Sequence, residues 1–366
     1  MKIILTCGGT GGHVSPALAI AEELQKRNMG CEILFVCRYG GGENAPILKA
    51  GYNVKFLNVR GIARKLTTKN IKSLSLALIA ELKARQIIKE FRPDVVVGTG
   101  GYVCWPVLHA ANALNIPTAI HESNVVAGLV TRLLSKKSTR VLLNVKESEN
   151  YLKRHDNISV VGNPLREDFF STPRDKARKN LHIAKDEIYI VSYGGSGGAE
   201  KMNDVITSVM HSYSSKDERI RHTHACGAKY YEKYSNSFPS DKCKIIPYIE
   251  NMPEHLSAAD IVICRCGAMT LSEISVAGVA AILVPSPNVT DNHQYKNGKN
   301  LSDKGAAVLL EESELDTDSL TSVLKGLTDN PKRRKKLASA IKSCADLNSR
   351  EKVANVILKI SKASRT

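Results

Sequence analysis

A short apolar segment that runs directly into a cluster of glycines begins each half of this chain. Lys2–Cys7 is followed by the glycine-rich loop Gly8–Gly12, and Ile188–Tyr193 is followed by a second such loop, Gly194–Gly198. A strand that turns through glycine into a helix is the start of a βαβ unit, in which successive strands are parallel. The sequence therefore predicts an α/β architecture that is built twice.

The remaining sequence alternates short β-rich segments with amphipathic ones, as parallel sheets require. In the first half we predict strands at Lys2–Cys7, Cys31–Cys37, Val54–Val59, Asp94–Thr99, Thr118–His121 and Thr139–Asn144. In the second half we predict strands at Ile188–Tyr193, Arg221–Ala225, Lys244–Pro247, Ile261–Cys264, Ala281–Val284 and Ala306–Leu310. Helices are predicted at Pro16–Asn28, Ile71–Phe91, Lys201–His211, Thr270–Ala277, His293–Asp303 and Asn348–Ser361.

The chain has 366 residues, which favours two domains at about 100–200 residues each. Gly162, Asn163 and Pro164 interrupt the pattern after the first set of strands. We therefore predict one domain at residues 1–162 and a second at 163–345. Residues 346–366 are predicted to form a helix that packs back on the domains.

Composition excludes several classes of protein. No run of about 18 apolar residues exists, so no membrane-spanning helix is expected, and the first residues do not resemble a secretory signal. The nine cysteines are odd in number and form no Cys-x-x-Cys pair, which indicates free thiols in a reducing compartment. With 5% aromatic residues and no nucleic-acid-binding module, we expect no nucleic-acid partner.

The glycine loops favour phosphate binding at the carboxyl ends of the strands. A third loop, Gly98–Tyr102, follows the strand predicted at 94–99. The first loop is not Gly-x-Gly-x-x-Gly, and Arg38 stands where a dinucleotide site has an acidic residue, which disfavours a nicotinamide oxidoreductase. No Walker sequence is present either. The favoured interpretation is a pair of nucleotide-binding-type domains with a cleft between them.

Seven motifs, in order along nearly the whole chain, resemble the MurG family: GGTGGHVSPALAIAEEL, GTGGYVCWP, HESNVVAGLVTRLL, VVGNPLR, GGSGGAEKMN, RCGAMTLSEISVAGVAAILVP and DNHQYKNGKNLSDKGAA. The resemblance implies a GT-B fold, with two Rossmann-like domains whose parallel sheets face each other across a cleft. It implies an inverting hexosyltransferase that moves GlcNAc from UDP-GlcNAc to lipid I, undecaprenyl-pyrophosphoryl-MurNAc-pentapeptide. The product would be lipid II, a peptidoglycan precursor. It also implies a peripheral enzyme on the cytoplasmic face of the plasma membrane.

The resemblance further implies which residues bind the substrates. The N-terminal domain would take the lipid acceptor, and Tyr102 would shape its pocket. Within the donor site, Ile249 would meet the uracil through its backbone, Glu273 the ribose hydroxyls and Gln294 the GlcNAc hydroxyls. The other expected donor-site residues are Thr10, Gly11, Gly12, Asn124, Arg166, Ser196, Ala268, Met269, Thr270, Leu271, Ser272 and His293.

The reaction needs a general base that removes the proton of the attacking hydroxyl. His13 is the first candidate because histidine exchanges protons readily near neutral pH. Glu122 is the second. The alternative interpretations are that His13 only positions substrate and that Glu122 is a buried brace. No Asp-x-Asp motif is present, so we expect no tightly held metal, and the family resemblance implies no cofactor.

An anionic membrane surface is the other predicted partner. Lys and Arg outnumber Asp and Glu by 22 to 11 in residues 1–162, and the excess includes Arg64, Lys65, Lys69 and Lys72. Apolar residues at helical spacing follow this basic cluster: Ile71, Leu74, Leu78, Ile79 and Leu82. Such a segment is typical of a membrane-docking face, although the same stripe could pack into the core.

Two positions depart from the family pattern. Gly197 and Ser123 stand where the family usually has glutamine. These departures leave open a transferase that acts on another polyprenyl-linked acceptor. A UDP-GlcNAc 2-epimerase on the same fold is disfavoured because the motifs supply few carboxylates. A non-catalytic membrane protein is disfavoured by the complete set of motifs.

Overall fold

We analysed a computed structural model that describes residues 1–41, 44–60, 68–235 and 242–363, excluding the side chains of residues 68–75 and 363. The chain forms two compact units. Unit 1 comprises Met1–Arg166 together with Asp346–Thr366, and unit 2 comprises Glu167–Ala345. The chain passes from unit 1 to unit 2 after Arg166, and Asn163 and Leu165, just before this point, are buried.

Unit 1 is a parallel sheet with helices on both faces. Its strands are β1 (Lys2–Cys7), β2 (Glu32–Arg38), β3 (Asn53–Leu57), β4 (Val95–Gly98), β5 (Thr118–Glu122), β6 (Arg140–Leu143) and β7 (Ile158–Val160). Its helices are α1 (Gly11–Arg27), α2 (Ala45–Lys49), α3 (Thr68–Phe91), α4 (Cys104–Ala113) and α5 (Leu129–Leu134), with the final helix of the chain, Ser349–Ala363. A 3₁₀ turn spans Lys146–Tyr151.

The strands of unit 1 pair in the order β3-β2-β1-β4-β5-β6-β7, all in parallel. Alternate residues of β1 point to opposite faces, as the two-residue strand period requires. Ile3 and Leu5 pack with α1 and the C-terminal helix, whereas Ile4 packs with α3 and α4. Helices α1 and α4 therefore cover opposite faces of the sheet.

Unit 2 repeats this architecture. Its strands are β8 (Ile188–Tyr193), β9 (Ile220–Ala225), β10 (Cys243–Ile246), β11 (Ile261–Cys264), β12 (Ala280–Leu283) and β13 (Val308–Leu309). Its helices are α6 (Asp168–Ser171), α7 (Arg174–Asn180), α8 (Glu200–Val209), α9 (Tyr231–Tyr234), α10 (Met252–Ala258), α11 (Ala268–Ala277), α12 (His293–Ser302), α13 (Thr317–Thr328) and α14 (Pro331–Ser343), so the final helix is α15. A π-helical turn, Met210–Ser214, and 3₁₀ turns at Ala228–Tyr230 and Thr290–Asn292 complete it.

The sheet of unit 2 has the order β10-β9-β8-β11-β12-β13, again parallel throughout. Met202 of α8 belongs to the apolar cluster on one face, and Leu271 of α11 belongs to the cluster on the other. The predicted α/β class with two parallel sheets is confirmed. The short edge strand β7 was missed, since its three residues carry too little pattern to stand apart from the linker that follows.

None of the helices in the described ranges has the length and apolar character needed to span a membrane.

A chain of buried polar side chains crosses the sheet of unit 2. The Ser192 hydroxyl lies 2.9 Å from His222 Nε2 and 2.9 Å from His224 Nδ1. His224 Nε2 meets the Asn203 amide oxygen of α8 at 3.1 Å, and the Asn203 amide nitrogen donates to Cys226 O at 2.9 Å. Burial lowers the pKa of His222 to about 3 and that of His224 to about 4. Both histidines are therefore neutral in the folded chain at neutral pH.

Acid should therefore destabilise the chain through these two histidines. Below the ordinary histidine pKa of about 6.5, only the unfolded chain takes up their protons, so stability falls as the pH falls toward 4. We expect a loss of about 4 kcal/mol in the free energy of unfolding between pH 7 and pH 5 from this pair. Urea unfolding followed by circular dichroism measures it. The double variant His222→Gln/His224→Gln should lose this pH dependence, whereas His211→Gln, at an exposed site, should keep it.

If the double variant and the wild-type chain show the same slope of unfolding free energy against pH, the two histidines are not the groups responsible.

Candidate functional site

The loops that leave β1 and β4 interlock at the carboxyl edge of the unit 1 sheet. The Gly8 N–H donates to Gly100 O at 3.3 Å. A β-carbon added to Gly101, whose φ is +90°, would lie 2.0 Å from Gly8 O, so no other residue fits there. These two strands are neighbours whose helices cover opposite faces, which leaves a crevice between the loops. Ligands of open α/β sheets bind at such a point.

His13 lies in the first turn of α1, beside the contact between Gly8 and the loop that follows β4. Its Nδ1 is 2.9 Å from Gly8 O, and a carbonyl oxygen can only accept, so Nδ1 carries the proton. The Thr10 hydroxyl lies farther away, at 3.4 Å from the same nitrogen. In the neutral ring, Nε2 therefore presents a lone pair, and it makes no hydrogen bond with the described part of the chain.

The loop that follows β4 fixes the first turn of α1, which contains His13. The Thr99 hydroxyl donates to His13 O at 2.7 Å. The Cys104 thiol accepts from Gly100 N at 3.3 Å and reaches Thr6 O at 3.1 Å. Burial raises the pKa of Cys104 to about 12, so the thiol stays protonated and its contribution is structural. A β-carbon on Gly100, with φ of +120°, would lie 2.5 Å from the His13 ring.

Glu122 ends β5, the next strand in the sheet, and both its carboxylate oxygens are occupied. Oε1 accepts from the backbone and side-chain nitrogens of Asn124, both at 3.1 Å. Oε2 accepts from Gly128 N at 2.8 Å and from the Thr131 hydroxyl at 2.7 Å. The side chain is buried. This geometry fits the interpretation of Glu122 as a buried brace, which here holds the loop between β5 and α5.

His121 connects the same strand to the end of unit 1. Its Nε2 donates to Gly162 O at 3.0 Å, and the Ser123 hydroxyl lies 3.5 Å from its Nδ1. Burial lowers the pKa of His121, although the hydrogen bond to Gly162 and the charge of Glu122 act in the opposite direction. The Ser123 carbonyl accepts from Asn144 Nδ2 at 2.9 Å. Ser123, one of the two departures from the family pattern, is thus a buried part of the scaffold.

The remaining residues expected in unit 1 also lie along this edge. Thr10, Gly11 and Gly12 form the exposed start of α1, whose first turn has no acidic residue. Tyr102 follows Gly101 and is 47% exposed. Arg166 is half-buried at the last position of unit 1.

In unit 2, the loop between β8 and α8 forms a tight turn at the equivalent position. Gly198 N donates to Gly195 O at 3.0 Å, which leaves Ser196 and Gly197 exposed at the tip. A β-carbon on Gly198, with φ of +70°, would lie 2.2 Å from Cys226 O. Gly197 has open space around it, so the second departure leaves the loop tip bare without altering its path.

Ile249 follows β10 in the segment between Pro247 and α10. Its side chain is 2% exposed and packs in the core of unit 2. Its backbone N–H and C=O make no hydrogen bond with the described residues. A free donor and a free acceptor side by side match the edge of a uracil ring.

Helix α11 begins directly after β11, the strand beside β8. Its first turn contains no acidic residue, and Ala268, Thr270, Ser272 and Glu273 are half-buried. Met269 and Leu271 are buried in the core, so only their backbone could touch a ligand.

Gln294 on α12 is fixed by two backbone donors. Its Oε1 accepts from Ser286 N at 2.9 Å and from Cys266 N at 3.3 Å. Because both partners are N–H groups, the amide orientation is determined, and its NH₂ group makes no hydrogen bond with the described residues. The neighbouring His293 donates from Nδ1 to Thr290 O at 2.7 Å. Gln294 can therefore offer N–H groups to a sugar hydroxyl.

Several supporting residues were not among the predicted site residues. Arg265 pairs with Glu312 and donates to the carbonyls of Val284 and Pro285, so it is a strut between the loops that follow β11, β12 and β13. Thr99, Gly100 and Cys104 hold His13. For these three residues, the only sequence signal was the third glycine loop, Gly98–Tyr102.

The predicted membrane residues are described only in part. Arg64 and Lys65 lie outside the described residues, as do the side chains of Lys69, Lys72, Ile71 and Leu74. Leu78, Ile79 and Leu82 of α3 are 54%, 62% and 68% exposed, so they do not belong to the core. The buried stripe of this helix consists instead of Ala80, Ala84, Ile87 and Ile88.

Over the described ranges, no three His, Cys, Asp or Glu side chains are grouped as metal ligands.

Comparison with known proteins gives matches to glycosyltransferases in both halves of the chain. Residues 3–143 match the glycosyltransferase family 28 N-terminal domain, and residues 189–355 match the glycosyltransferase family 28 C-terminal domain. The chain is 39% identical to the UDP-N-acetylglucosamine--N-acetylmuramyl-(pentapeptide) pyrophosphoryl-undecaprenol N-acetylglucosamine transferase of Thermoanaerobacter sp. (strain X514), over 99% of this chain and 100% of that one.

Solved structures agree. The crystal structure of Acinetobacter baumannii MurG matches with a TM-score of 0.76 and 30% identity, over 98% of this chain and 100% of that one. A UDP-GlcNAc 2-epimerase from Neisseria meningitidis matches with a TM-score of 0.67 over 98% and 100% of the two chains, but at 14% identity it shares only the fold. The chain has a GT-B fold, and its sequence is similar to these transferases over nearly its full length. It therefore belongs to the MurG family of glycosyltransferases.

Proposed function

We propose that this protein transfers GlcNAc from UDP-GlcNAc to the MurNAc-pentapeptide of lipid I and so produces lipid II for peptidoglycan synthesis. The observation that carries the chemistry is the geometry of His13, whose Nδ1–H is committed to Gly8 O and whose Nε2 is left as an acceptor. The substrates are those in the name of the relative that is 39% identical over its full length.

His13 is the general base of this proposal. As the C4 hydroxyl of the MurNAc sugar attacks the anomeric carbon of GlcNAc, its proton passes to His13 Nε2. The new C–O bond forms as the bond to the UDP oxygen breaks, and the electron pair leaves with the diphosphate. A single displacement of this kind inverts the anomeric centre. The Gly8 carbonyl, which accepts from Nδ1–H, stabilises the imidazolium that results.

Unit 2 supplies the groups that hold the donor. We assign the uracil to the backbone of Ile249, the ribose hydroxyls to Glu273 and the diphosphate to the loop around Ser196. N–H groups at the starts of α8 and α11 can stabilise charge that develops on the departing phosphate. The NH₂ group of Gln294 is assigned to a hydroxyl of the GlcNAc ring.

Glu122 is better suited to positioning than to proton transfer. Four donors already occupy its carboxylate, and two of these come from Asn124, itself an expected donor-site residue. Removal of the carboxylate would release that loop. We therefore assign the base to His13 and the bracing of Asn124 to Glu122.

The exposed ridge of α3, formed by Leu78, Ile79 and Leu82, is the proposed contact with an anionic membrane surface. Lys83, one turn beyond Ile79, is exposed beside it. Apolar side chains that enter the headgroup region next to lysines are typical of peripheral membrane proteins. A lipid-linked acceptor requires such contact, and we assign the enzyme to the cytoplasmic face of the plasma membrane, as the family resemblance implies.

Transfer of radiolabelled GlcNAc from UDP-GlcNAc to a short-chain lipid I analogue tests the proposed function. A labelled disaccharide product together with stoichiometric UDP is expected. UDP release without transfer to this analogue would mean that the acceptor is another polyprenyl-linked sugar. Conversion of UDP-GlcNAc to its 2-epimer would contradict the assignment.

The role of His13 can be tested without changing His13 itself. Gly100→Ala places a methyl group against the imidazole and should lower kcat by roughly 100-fold or more, the usual range for loss of a general base. Gly51→Ala is the matched control, since Gly51 also has a positive φ, of +80°, but has open space around it. Equal kcat values in the two variants would show that the placement of the His13 ring does not limit catalysis.

Gln294→Glu tests the assignment of the sugar. A carboxylate still accepts from Ser286 N and Cys266 N but offers no N–H. The KM for UDP-GlcNAc should therefore rise about tenfold, in line with one lost hydrogen bond. Because UDP lacks the sugar, its Kd should change little. Gln294→Ala releases both loops and should weaken the binding of both ligands. An unchanged KM in Gln294→Glu would contradict the assignment.

Membrane docking can be tested with the triple variant Leu78→Ser/Ile79→Ser/Leu82→Ser. These side chains are exposed, so the fold should be retained while partitioning onto phosphatidylglycerol vesicles falls at least about tenfold. Sedimentation with vesicles measures the bound fraction. The control is Leu48→Ser/Leu133→Ser, at positions 55% and 57% exposed elsewhere on unit 1. If both variants bind vesicles as the wild type does, the docking surface lies elsewhere.

A further inference from the structure

Cys226 and Gly227, the two residues that follow β9, touch both of the loops assigned above to the nucleotide. On one side is the loop between β8 and α8. A β-carbon added to Gly198 in that loop would lie 2.2 Å from Cys226 O, and one added to Gly227 would lie 2.8 Å from Gly198 Cα. On the other side is the segment between β10 and α10, where Gly227 N donates to Pro247 O at 3.1 Å, two residues before Ile249. The backbone after β9 thus lies between the diphosphate loop and the uracil segment.

Asn203 on α8 holds this backbone from inside the core. Its side-chain nitrogen donates to Cys226 O at 2.9 Å, and its side chain is fully buried. Its backbone N–H donates to Ala199 O at 2.8 Å, and Ala199 is the residue that follows Gly198. Asn203 therefore connects the end of the loop between β8 and α8 with the carbonyl against which that loop packs.

The hydrogen bond to Cys226 determines the orientation of the Asn203 amide, because a carbonyl oxygen can only accept. The amide oxygen then faces His224 Nε2 at 3.1 Å, so Nε2 carries the proton of the neutral ring. Nδ1 is left as an acceptor, and the Ser192 hydroxyl donates to it at 2.9 Å. The Ser192 carbonyl also lies 3.2 Å from Nδ1 but makes no hydrogen bond there, since both atoms are acceptors.

The same reasoning extends to the next strand position and to the π-helical turn. Because the Ser192 hydroxyl donates to His224, it accepts from His222 Nε2 at 2.9 Å. His222 Nδ1 then accepts from the Ser214 hydroxyl at 3.1 Å. These side chains form one buried polar network whose hydrogen bonds run in a single direction toward Cys226 O. Its members, each at most 1% exposed, are Ser192, Asn203, Ser214, His222 and His224.

We propose that Asn203 and His224 are positioning residues for the nucleotide. His224 fixes the amide of Asn203, and this amide holds the Cys226 carbonyl between the two nucleotide loops. A uridine diphosphate must reach both loops at once, because its diphosphate and its uracil are assigned to opposite sides of that carbonyl. This inference deepens the proposed function and rests on its assignment of the nucleotide to these two loops.

Binding of UDP and of uridine to the full-length protein tests the proposal. Asn203→Ala leaves the Cys226 carbonyl without its donor and should raise the Kd for UDP about tenfold, as expected for one lost hydrogen bond. The Kd for uridine should change little, since uridine reaches only the segment between β10 and α10. Titration calorimetry measures UDP directly and uridine by displacement of UDP. The readout is the ratio of the two Kd values, which a loss of stability alone does not move.

Two variants of His224 provide a second test, which holds even if Asn203→Ala does not fold. His224→Leu removes the N–H that orients the Asn203 amide and should raise the Kd for UDP. His224→Gln retains a side-chain N–H and should bind UDP nearly as the wild-type chain does.

Ser214→Ala is the matched control at the far end of the buried polar network. It leaves His222 Nδ1 without its donor, so it should lower the melting temperature. It leaves Asn203 and Cys226 in place, so the Kd for UDP should not change. A network with a purely structural role would lower the melting temperature in every variant and leave every Kd unchanged below the unfolding transition.

Three outcomes overturn the proposal for the network alone. They are an unchanged Kd for UDP in both Asn203→Ala and His224→Leu, an equal rise in Ser214→Ala, and an equal rise for uridine and for UDP. If the wild-type chain itself does not bind UDP, the proposed function fails, and this inference fails with it.

Discussion

The direction in which helices leave neighbouring parallel strands is the constraint on which both parts of the site depend. In unit 1 the chain leaves β1 for one face of the sheet and β4 for the other, and in unit 2 it does the same at β8 and β11. Such a divergence opens a crevice at the carboxyl edge of each sheet. The residues assigned to catalysis and to the nucleotide lie at or beside these two crevices.

Close packing at each crevice then fixes how the side chains there are oriented. In unit 1, the Gly8 carbonyl accepts the proton-bearing nitrogen of His13, and the backbone of Gly101 passes close enough to exclude any β-carbon. The tautomer of His13 is thus set by the backbone. In unit 2, two backbone N–H groups fix the amide of Gln294 in the same manner. In both His13 and Gln294, the scaffold holds one end of the side chain, and the other end makes no hydrogen bond with the described residues.

The alternation of strands and helices was sufficient to predict the fold, since both parallel sheets follow from it. The glycine loops and the family motifs singled out the candidate residues, whose binding roles stay predictions. Sequence could not show that four donors saturate Glu122, because this depends on how the loop between β5 and α5 folds back onto the carboxylate. It could not show either that Met269 and Leu271 are buried, because this depends on the packing of α11 in unit 2. It also left open whether Leu78, Ile79 and Leu82 are core residues. Their exposure follows from the rotation of α3, which buries alanines and isoleucines instead.

Hydrogen exchange of the backbone amides with and without UDP tests most directly the claim that the nucleotide binds at the carboxyl edge of the unit 2 sheet. We predict slower exchange on addition of UDP in residues 194–198, at Ile249 and in the first turn of α11. The amides of residues 8–13 should respond to UDP only weakly, since the uracil, the ribose and the diphosphate are all assigned to unit 2. Protection concentrated at residues 8–13, with none in the unit 2 segments, would contradict the account.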